Sequence, residues 1–171
     1  MRLDPAMHRF LAASYNVRLA TLSPRGTPLI TPIWFNLDGD EIVIGTAASA
    51  LAVRNARANP QVVLCFDAEG LDGNSRVLRL HGTAVVRDEW LPLRLLAKLV
   101  FRYYLAPAAL RCEFAHFSQQ RLRGRYYAKQ TGPALIRIQL EQAEFLPHGG
   151  AIDGIHGPRL VGVGSMVQAP R

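Results

Sequence analysis

A five-residue turn before a helical segment is the part of the chain best suited to bind an anion. Residues 45–49 read Gly-Thr-Ala-Ala-Ser and are followed by an alanine-rich stretch. A helix that begins here would present free N–H groups and a partial positive charge, with the hydroxyls of Thr46 and Ser49 as further donors. Ser49 is placed to cap this helix, and Arg54 and Arg57 would share one of its faces. The alternative is a capped surface helix with two solvated arginines.

A second candidate lies on a strand. Residues 76–86 alternate between apolar and polar side chains, as in a half-buried strand, and His81 shares the polar face with Arg79 and Thr83. This pattern predicts either a substrate contact or proton donor at His81, with Arg79 beside it, or a histidine with a structural or surface role.

The sequence has no other pattern typical of catalysis or metal binding. The histidines lack metal-ligand spacing, and neither a P-loop nor a G-x-G-x-x-G motif follows a strand. Cys65 and Cys112 lie outside any C-x-x-C pair, and we expect both to be buried, inert thiols. We therefore expect no metal site and no catalytic acid–base pair. The histidines are His8, His81, His116, His148 and His156.

Positive charge is concentrated in one part of the chain. The formal net charge is +7, and residues 87–129 contain nine basic and three acidic residues, a net charge of +6 in that window. Such a surface suits an anionic partner: a phosphorylated cofactor, a polyanionic ligand or nucleic acid. Tyrosine pairs at 103–104 and 126–127 alternate with arginines, as in some nucleic-acid binders. Helix packing with a solvated basic face explains them more simply, so nucleic acid is an unlikely partner.

The length favours one domain spanning residues 1–171, with a core at about residues 10–147 and a glycine-rich tail at 148–171. Nearly half of the residues (49%) are hydrophobic, which argues against disorder. No apolar run approaches the roughly 18 residues that would span a bilayer, so we expect no membrane association. The N-terminus lacks a signal-peptide layout, and we expect a cytoplasmic protein.

Strands dominate the predicted elements. An amphipathic helix at 4–14 precedes three strands that we expect to be antiparallel neighbours, and Asp38-Gly39-Asp40 predicts a hairpin between the second and third. Pro32 indicates a sheet edge, a bulge or a barrel rim. This order favours a mainly β protein, an antiparallel, Greek-key-like split barrel with peripheral helices. The predicted strands are 17–22, 29–35, 42–46, 62–66, 76–86 and 135–145, and the later helices are 89–104 and 108–120.

Two segments and their order resemble a known family. Residues 54–62 are similar to an R-N-x-R-x-[ND]-P-x-V segment, and residues 77–84 (Val-Leu-Arg-Leu-His-Gly-Thr-Ala) to a later strand. Both are typical of the FMN-binding split barrels related to pyridoxamine 5'-phosphate oxidase, which include users of the deazaflavin F420. The resemblance implies a homodimer with FMN, or alternatively F420, at its interface and hydride transfer to a small-molecule substrate.

The resemblance also implies the ligand contacts. The strand that begins at Thr31 would lie along the cofactor ring, with the backbone of residues 32–35 at the ring edge and Trp34 or Phe35 packed against it. The turn and the helix after it would hold the phosphate end. The implied cofactor-binding residues are Thr31, Pro32, Ile33, Trp34, Phe35, Thr46, Ala47, Ser49, Arg54, Asn55 and Arg57.

Three positions depart from the family pattern. Ala52 stands where many relatives carry a phosphate-binding lysine, and Thr31 and Asn36 stand where the pyridoxamine oxidases carry a basic pair. Either Arg54, Arg57 and a basic residue from elsewhere, such as the window 121–129 across a dimer interface, supply the missing charge, or cofactor affinity is low. Oxidation of pyridoxamine 5'-phosphate itself is therefore not expected. Two alternatives stay open: a split-barrel binding protein for haem or another anionic ligand, using His81 or His148, and a basic nucleic-acid-binding domain.

Overall fold

Seven antiparallel strands form one sheet in a computed structural model, which describes residues 1–67, 76–105 and 132–147. The helices are α1 (Pro5–Ala13), α2 (Leu51–Ala58) and α3 (Leu93–Val100), and α3 continues into a turn of π-helix (Phe101–Leu105). The strands are β1 (Val17–Leu22), β2 (Pro28–Ile33), β3 (Asn36–Asp38), β4 (Glu41–Ala47), β5 (Gln61–Asp67), β6 (Arg76–Arg87) and β7 (Pro133–Pro147).

The sheet must curl back on itself. Its strand order is β2-β1-β5-β6-β7-β4-β3, so β2 and β3 are at opposite edges although only Trp34 and Phe35 separate them in sequence. Seven flat strands would place the two edges roughly 29 Å apart, whereas the linking chain reaches at most about 11 Å. The sheet therefore closes into a barrel-like shape. The predicted antiparallel β architecture with peripheral helices is confirmed.

The predicted second strand is in fact two strands. Residues 29–35 were expected to run without a break, but β2 ends at Ile33 and β3 begins at Asn36. Strands β1 and β2 are neighbours as predicted, whereas β4 pairs with β3 and β7, so the first three predicted strands are not a continuous meander. The predicted hairpin joins β3 to β4, with Gly39 at a φ of 64°. Pro32 lies on an edge strand, as predicted.

Strand β6 follows the predicted alternation, with Leu78, Leu80 and Ala84 in the core. A register shift in its pairing with β7 falls between His81 and Gly82. At Gly82 a Cβ would lie 2.4 Å from the main-chain oxygen of Gln139, so only glycine fits this close approach. In β7, Ile136, Ile138 and Leu140 are also buried.

Helix α2 lacks the predicted cap. Its N-cap residue is Ala50, which cannot cap with its side chain, and the prediction that Ser49 caps the helix is wrong because the helix begins one residue later than that role requires. A residue in the middle of α2 instead anchors the helix to the sheet. The buried side chain of Asn55 donates a hydrogen bond to Thr21 of β1 at 3.1 Å.

In the predicted helix 89–104, Arg94, Lys98 and Arg102 recur every four residues as a basic stripe beside an apolar stripe that includes Leu95, Leu96, Leu99, Val100 and Tyr103. Two of the three basic residues contact the rest of the fold. Arg94 forms an ion pair with Asp38 at 2.9 Å, and Arg102 donates to main-chain carbonyls where α1 ends. Positive charge at a helix C-terminus is favourable there. The apolar stripe is only partly buried: Leu95 and Tyr103 are in the core, whereas Leu96, Val100 and others are exposed.

The N-terminal helix agrees with its prediction, and Asp4 caps it by accepting from the N–H of Met7 at 2.7 Å. Asp40, in the β3–β4 turn, accepts from the N–H of Leu3 and contacts Nε2 of His8, both at 3.1 Å. The hydrogen bond from Leu3, followed by the interaction with His8, holds the pKa of the Asp40 carboxyl below its ordinary value.

Several predictions lie outside the described residues: the helix at 108–120, Cys112, the basic residues 111–129 and the tail after Pro147. In the part of the chain that is described, no helix is long and apolar enough to cross a membrane. Cys65 is half-buried rather than fully buried, and this burial raises the pKa of its thiol, which agrees with the predicted low reactivity.

Candidate functional site

A cavity of about 520 Å³ lies against edge strand β2, within the usual size range of small-molecule sites. Residues 29–34 form one wall, and residues 45–46, at the end of β4, form another. Residues 50–52, at the start of α2, and the side chains of Asn16 and Leu99 complete the lining. We call this cavity the β2 groove. It brings together the two segments that the sequence pointed to, the second strand and the turn before the helix.

The groove has apolar walls and hydrogen-bond donors at one end. No charged side chain of the described residues lines it. Leu51, Ala52 and Val53 are the first three residues of α2. The first N–H group that bonds within the helix is that of Arg54, to the carbonyl of Ala50, so the N–H groups of these three residues have no intrahelical acceptor. No described side chain caps them, and the hydroxyl of Thr46 lies in the same lining. An uncapped helix N-terminus of this kind is suited to an anionic group.

The structure distinguishes Trp34 from Phe35. Trp34 lines the groove and stacks on Tyr103, with ring centroids 4.5 Å apart and 14° between the ring planes. Phe35 is fully buried and packs edge-on against Phe66 in the core. Of these two aromatic residues, only Trp34 therefore presents its side chain to a ligand in the groove.

Tyr103 fixes the corner between β2 and β3 from a distant part of the chain. Its hydroxyl donates to the carbonyl of Tyr15 at 2.7 Å and lies 3.4 Å from the main-chain nitrogen of Phe35. Burial raises the pKa of the Tyr103 hydroxyl, so the phenol stays protonated at neutral pH. The π-helical turn that carries Tyr103 thereby shapes the wall formed by Trp34.

The predicted ligand contacts divide into two groups. Those that line the groove are Thr31, Pro32, Ile33, Trp34 and Thr46. Those outside its lining are Phe35, Ala47, Ser49, Arg54, Asn55 and Arg57.

The second group has varied surroundings. Ala47 is buried, and Asn55 is buried against Thr21. Ser49 and Arg54 are exposed, and Arg54 forms no ion pair with a described residue. Arg57 is paired with Asp88. Arg54 is therefore the more available of the two arginines for an anion.

Sequence reasoning missed part of the lining. Leu29, Ile30 and Leu51 are apolar yet exposed or half-exposed at the groove, and Leu99 reaches it from α3. The only sequence signal for Leu99 was its place in the apolar stripe, which by itself is typical of a core residue.

His81 and Arg79 lie on the outward face of β6 and do not line the groove. Strand β6 is three strands from β2, roughly 14 Å across the sheet. Arg79 donates to Glu144 at 2.6 Å, and Nε2 of His81 is 3.9 Å from the same carboxylate. Among the described residues no cluster of histidine, cysteine and carboxylate side chains could hold a metal ion.

Residues 3–145 match the family model described as pyridoxamine 5'-phosphate oxidase, so the chain belongs to that family. No curated protein matches it significantly.

Solved structures share the fold at low sequence identity. A conserved hypothetical protein from Mycobacterium tuberculosis is 21% identical, with a TM-score of 0.61, over 92% of this chain and 96% of that chain. A protein described as an F420 reductase is 20% identical, with a TM-score of 0.56, over 83% and 98% of the two chains. The heme storage protein HutZ from Vibrio cholerae is 21% identical, with a TM-score of 0.55, over 86% and 95%.

Proposed function

We propose that the protein is a flavin- or deazaflavin-dependent oxidoreductase that binds FMN, or alternatively F420, in the β2 groove. One observation carries this proposal: an apolar wall along β2 leads to an uncapped helix N-terminus and the Thr46 hydroxyl in the same cavity. A flat aromatic ring with an anionic tail matches that arrangement. The family membership and the neighbour described as an F420 reductase support the same ligand class.

The residues present fit such a cofactor. The face of Trp34 opposite Tyr103 and the main chain of residues 31–34 would hold the ring, while Thr46 and the N–H groups of Leu51 and Ala52 would hold the anionic end. The bound cofactor would supply hydride transfer, and the protein's contribution would be binding, orientation and exclusion of water. The proposed chemistry therefore requires no acid–base pair in the groove.

The described lining of the groove has no basic side chain to neutralise the anionic end of a cofactor. Ala52 is 2% exposed and lines the groove at the position where many relatives carry lysine. Arg54, two residues further along α2, is exposed and is the arginine that we propose for the anionic end. Arg57 pairs with Asp88 and lies in the last turn of α2, further from the helix N-terminus than Arg54, so its share would be smaller.

We propose a homodimer with the groove at its interface. Ile30 and Leu51 both line the groove and are 65% and 51% exposed. A partner that covers these side chains would remove apolar surface from water, at about 25 cal/mol per Å², and would shield a bound ring. Sedimentation of the full chain as a monomer at micromolar concentration would contradict this part of the proposal.

Haem binding is the second candidate, favoured by the similarity in fold to the heme storage protein HutZ. The described lining of the β2 groove contains no histidine, cysteine, methionine or tyrosine, the usual axial ligands of haem iron. The exposed His81 would have to bind haem elsewhere, on the outer face of β6. The composition of the groove therefore favours a flavin or deazaflavin at that position.

Absorption spectroscopy separates the candidates. The purified full-length protein is titrated in parallel with FMN, F420 and haemin, and binding is followed by changes in the visible spectrum. Saturable binding of FMN or F420 with quenching of tryptophan emission supports the oxidoreductase. A Soret shift that disappears in His81→Ala, with no binding of FMN or F420, supports the haem alternative and overturns the proposal.

A further inference from the structure

A second cavity adjoins the β2 groove. Its volume is about 320 Å³, and Asn16 and Pro32 line both this cavity and the groove. A molecule in the second cavity would therefore be separated from a ring held along β2 only by these two shared residues. The cavity is lined by Ala13, Tyr15, Asn16, Arg18, Pro32 and Asp67.

Arg18 gives this cavity a positively charged donor group. It sits on β1 directly opposite Pro32 of β2, on the outward face of the sheet, and its side chain is 55% exposed. The β2 groove has no such group among its described residues. The two cavities therefore differ in chemistry: the described lining of the β2 groove has no charged side chain, whereas its neighbour contains a guanidinium paired with a carboxylate.

Asp67 orients the guanidinium without using all of its donors. The ion pair joins Nη1 of Arg18 to the carboxylate of Asp67, whose side chain is only 26% exposed. A guanidinium has five N–H donors in a fixed fork, and no other described residue accepts from Arg18. The remaining donors suit a carboxylate, which guanidinium groups bind through two parallel hydrogen bonds.

We infer that this cavity is the substrate subsite and that it selects small organic molecules bearing a carboxylate, with Arg18 as the specificity-determining residue. The inference rests on the proposed function, since it places the substrate beside the cofactor ring. Asn16 and Pro32 would contact both ligands. Arg18 binds the substrate and takes no part in the redox step.

The test compares benzoate with benzamide, which has the same ring and shape but no charge. Binding to the full chain without added cofactor is measured by NMR titration, following the Asn16 side-chain amide and the Arg18 Nε–H. We expect benzoate to bind at least about 10-fold more tightly than benzamide, since a charge-assisted hydrogen bond is lost with the amide.

Arg18→Gln should remove this preference, and Arg25→Gln is the matched control. Arg25 is exposed in the turn between β1 and β2 and lines neither cavity, so its loss should leave benzoate binding unchanged. Equal binding of the two probes, no binding of either, or an unchanged preference in Arg18→Gln would overturn the inference.

A separate titration with FMN and F420 distinguishes the two proposals. Cofactor binding without benzoate selectivity would overturn the inference of a substrate subsite and leave the proposed cofactor site standing. Benzoate selectivity that depends on Arg18, without cofactor binding, would support the anion site and overturn the oxidoreductase.

Discussion

Removal of the Tyr103 hydroxyl should loosen the corner between β2 and β3 and with it the wall of the groove. The hydroxyl donates to the carbonyl of Tyr15 at 2.7 Å, and Tyr103 is 1% exposed, so water cannot readily replace the bond. Tyr103→Phe keeps the ring that stacks on Trp34 at 4.5 Å. The substitution therefore isolates the hydrogen bond from the packing.

The magnitude follows from the two groups that lose a partner, the part-buried carbonyl of Tyr15 and the buried N–H of Phe35, which lies 3.4 Å from the hydroxyl. An unsatisfied buried polar group costs about 1–3 kcal/mol, and we expect Tyr103→Phe to lower the free energy of unfolding by about 1.5 kcal/mol. For a chain of this length that corresponds to a fall in Tm of roughly 3–6 °C. Tyr15→Phe is the control: Tyr15 is 42% exposed and its hydroxyl is 3.5 Å from the Tyr103 carbonyl, so its effect should be smaller.

Thermal unfolding and tryptophan fluorescence measure the two consequences. The chain has two tryptophans, and Trp90 is 80% exposed, so a Trp90→Phe background reports on Trp34 alone. In that background Tyr103→Phe should increase quenching of Trp34 by acrylamide as well as lower the Tm. A Tm and quenching equal to those of the Trp90→Phe parent would refute the assignment of Tyr103 as the residue that holds this corner.

Three further predictions concern the helix, the sheet and the pH dependence of stability. Arg54→Ala should weaken FMN or F420 binding by roughly 10-fold and Arg57→Ala by less, as measured by titration; equal losses would contradict the availability of Arg54. Gly82→Ala should lower the free energy of unfolding by about 2 kcal/mol or more, because its Cβ would lie 2.4 Å from a backbone oxygen; denaturant unfolding like that of the wild type would contradict this. The lowered pKa of Asp40 stabilises the fold above the ordinary value of 3.8, and that stabilisation is lost as the pH falls through the pKa of the folded protein. Asp40→Asn should therefore be less stable than the wild type at about pH 6 and converge with it near pH 2, whereas a difference independent of pH would exclude this linkage.

Local periodicity was sufficient to predict most of the sheet. The alternation that places Leu78, Leu80 and Ala84 in the core, and the turn at Gly39, depend only on neighbouring residues, and both are confirmed. The break at Trp34 and Phe35 was missed because it depends on Tyr103, 68 residues after Phe35. A hydrophobic run such as residues 29–35 has no local signal for a contact so distant in sequence.

The site shows the same division between local and distant determinants. The turn at residues 45–49 and the start of α2 were located from residue types alone, although preference for a hydroxyl cap wrongly selected Ser49. Arg54 and Arg57 were treated alike, as phosphate contacts or as solvated surface residues, whereas Asp88 holds Arg57. Such pairings arise only when the chain is folded, so the sequence could indicate where we propose that an anion binds but not which arginine is available.

Blocking the start of α2 with a carboxylate tests the central claim most directly. Leu51→Asp places a negative charge in the groove where the anionic end of the cofactor is proposed to lie. Leu51 is 51% exposed, so the carboxylate keeps its contact with water, and an acidic residue in the first turn of a helix favours folding. Thr27→Asp adds the same charge at an exposed turn outside the groove and serves as the control.

The measurement is the affinity for FMN and F420 of the wild type and both variants, with circular dichroism confirming that each is folded. We predict that the wild type and Thr27→Asp bind one of the two cofactors with equal affinity. Leu51→Asp should bind it roughly 100-fold more weakly, because two like charges about 4 Å apart repel by several kcal/mol near a protein surface. Affinity in Leu51→Asp equal to that of Thr27→Asp, or no binding of either cofactor by the wild type, would contradict the account.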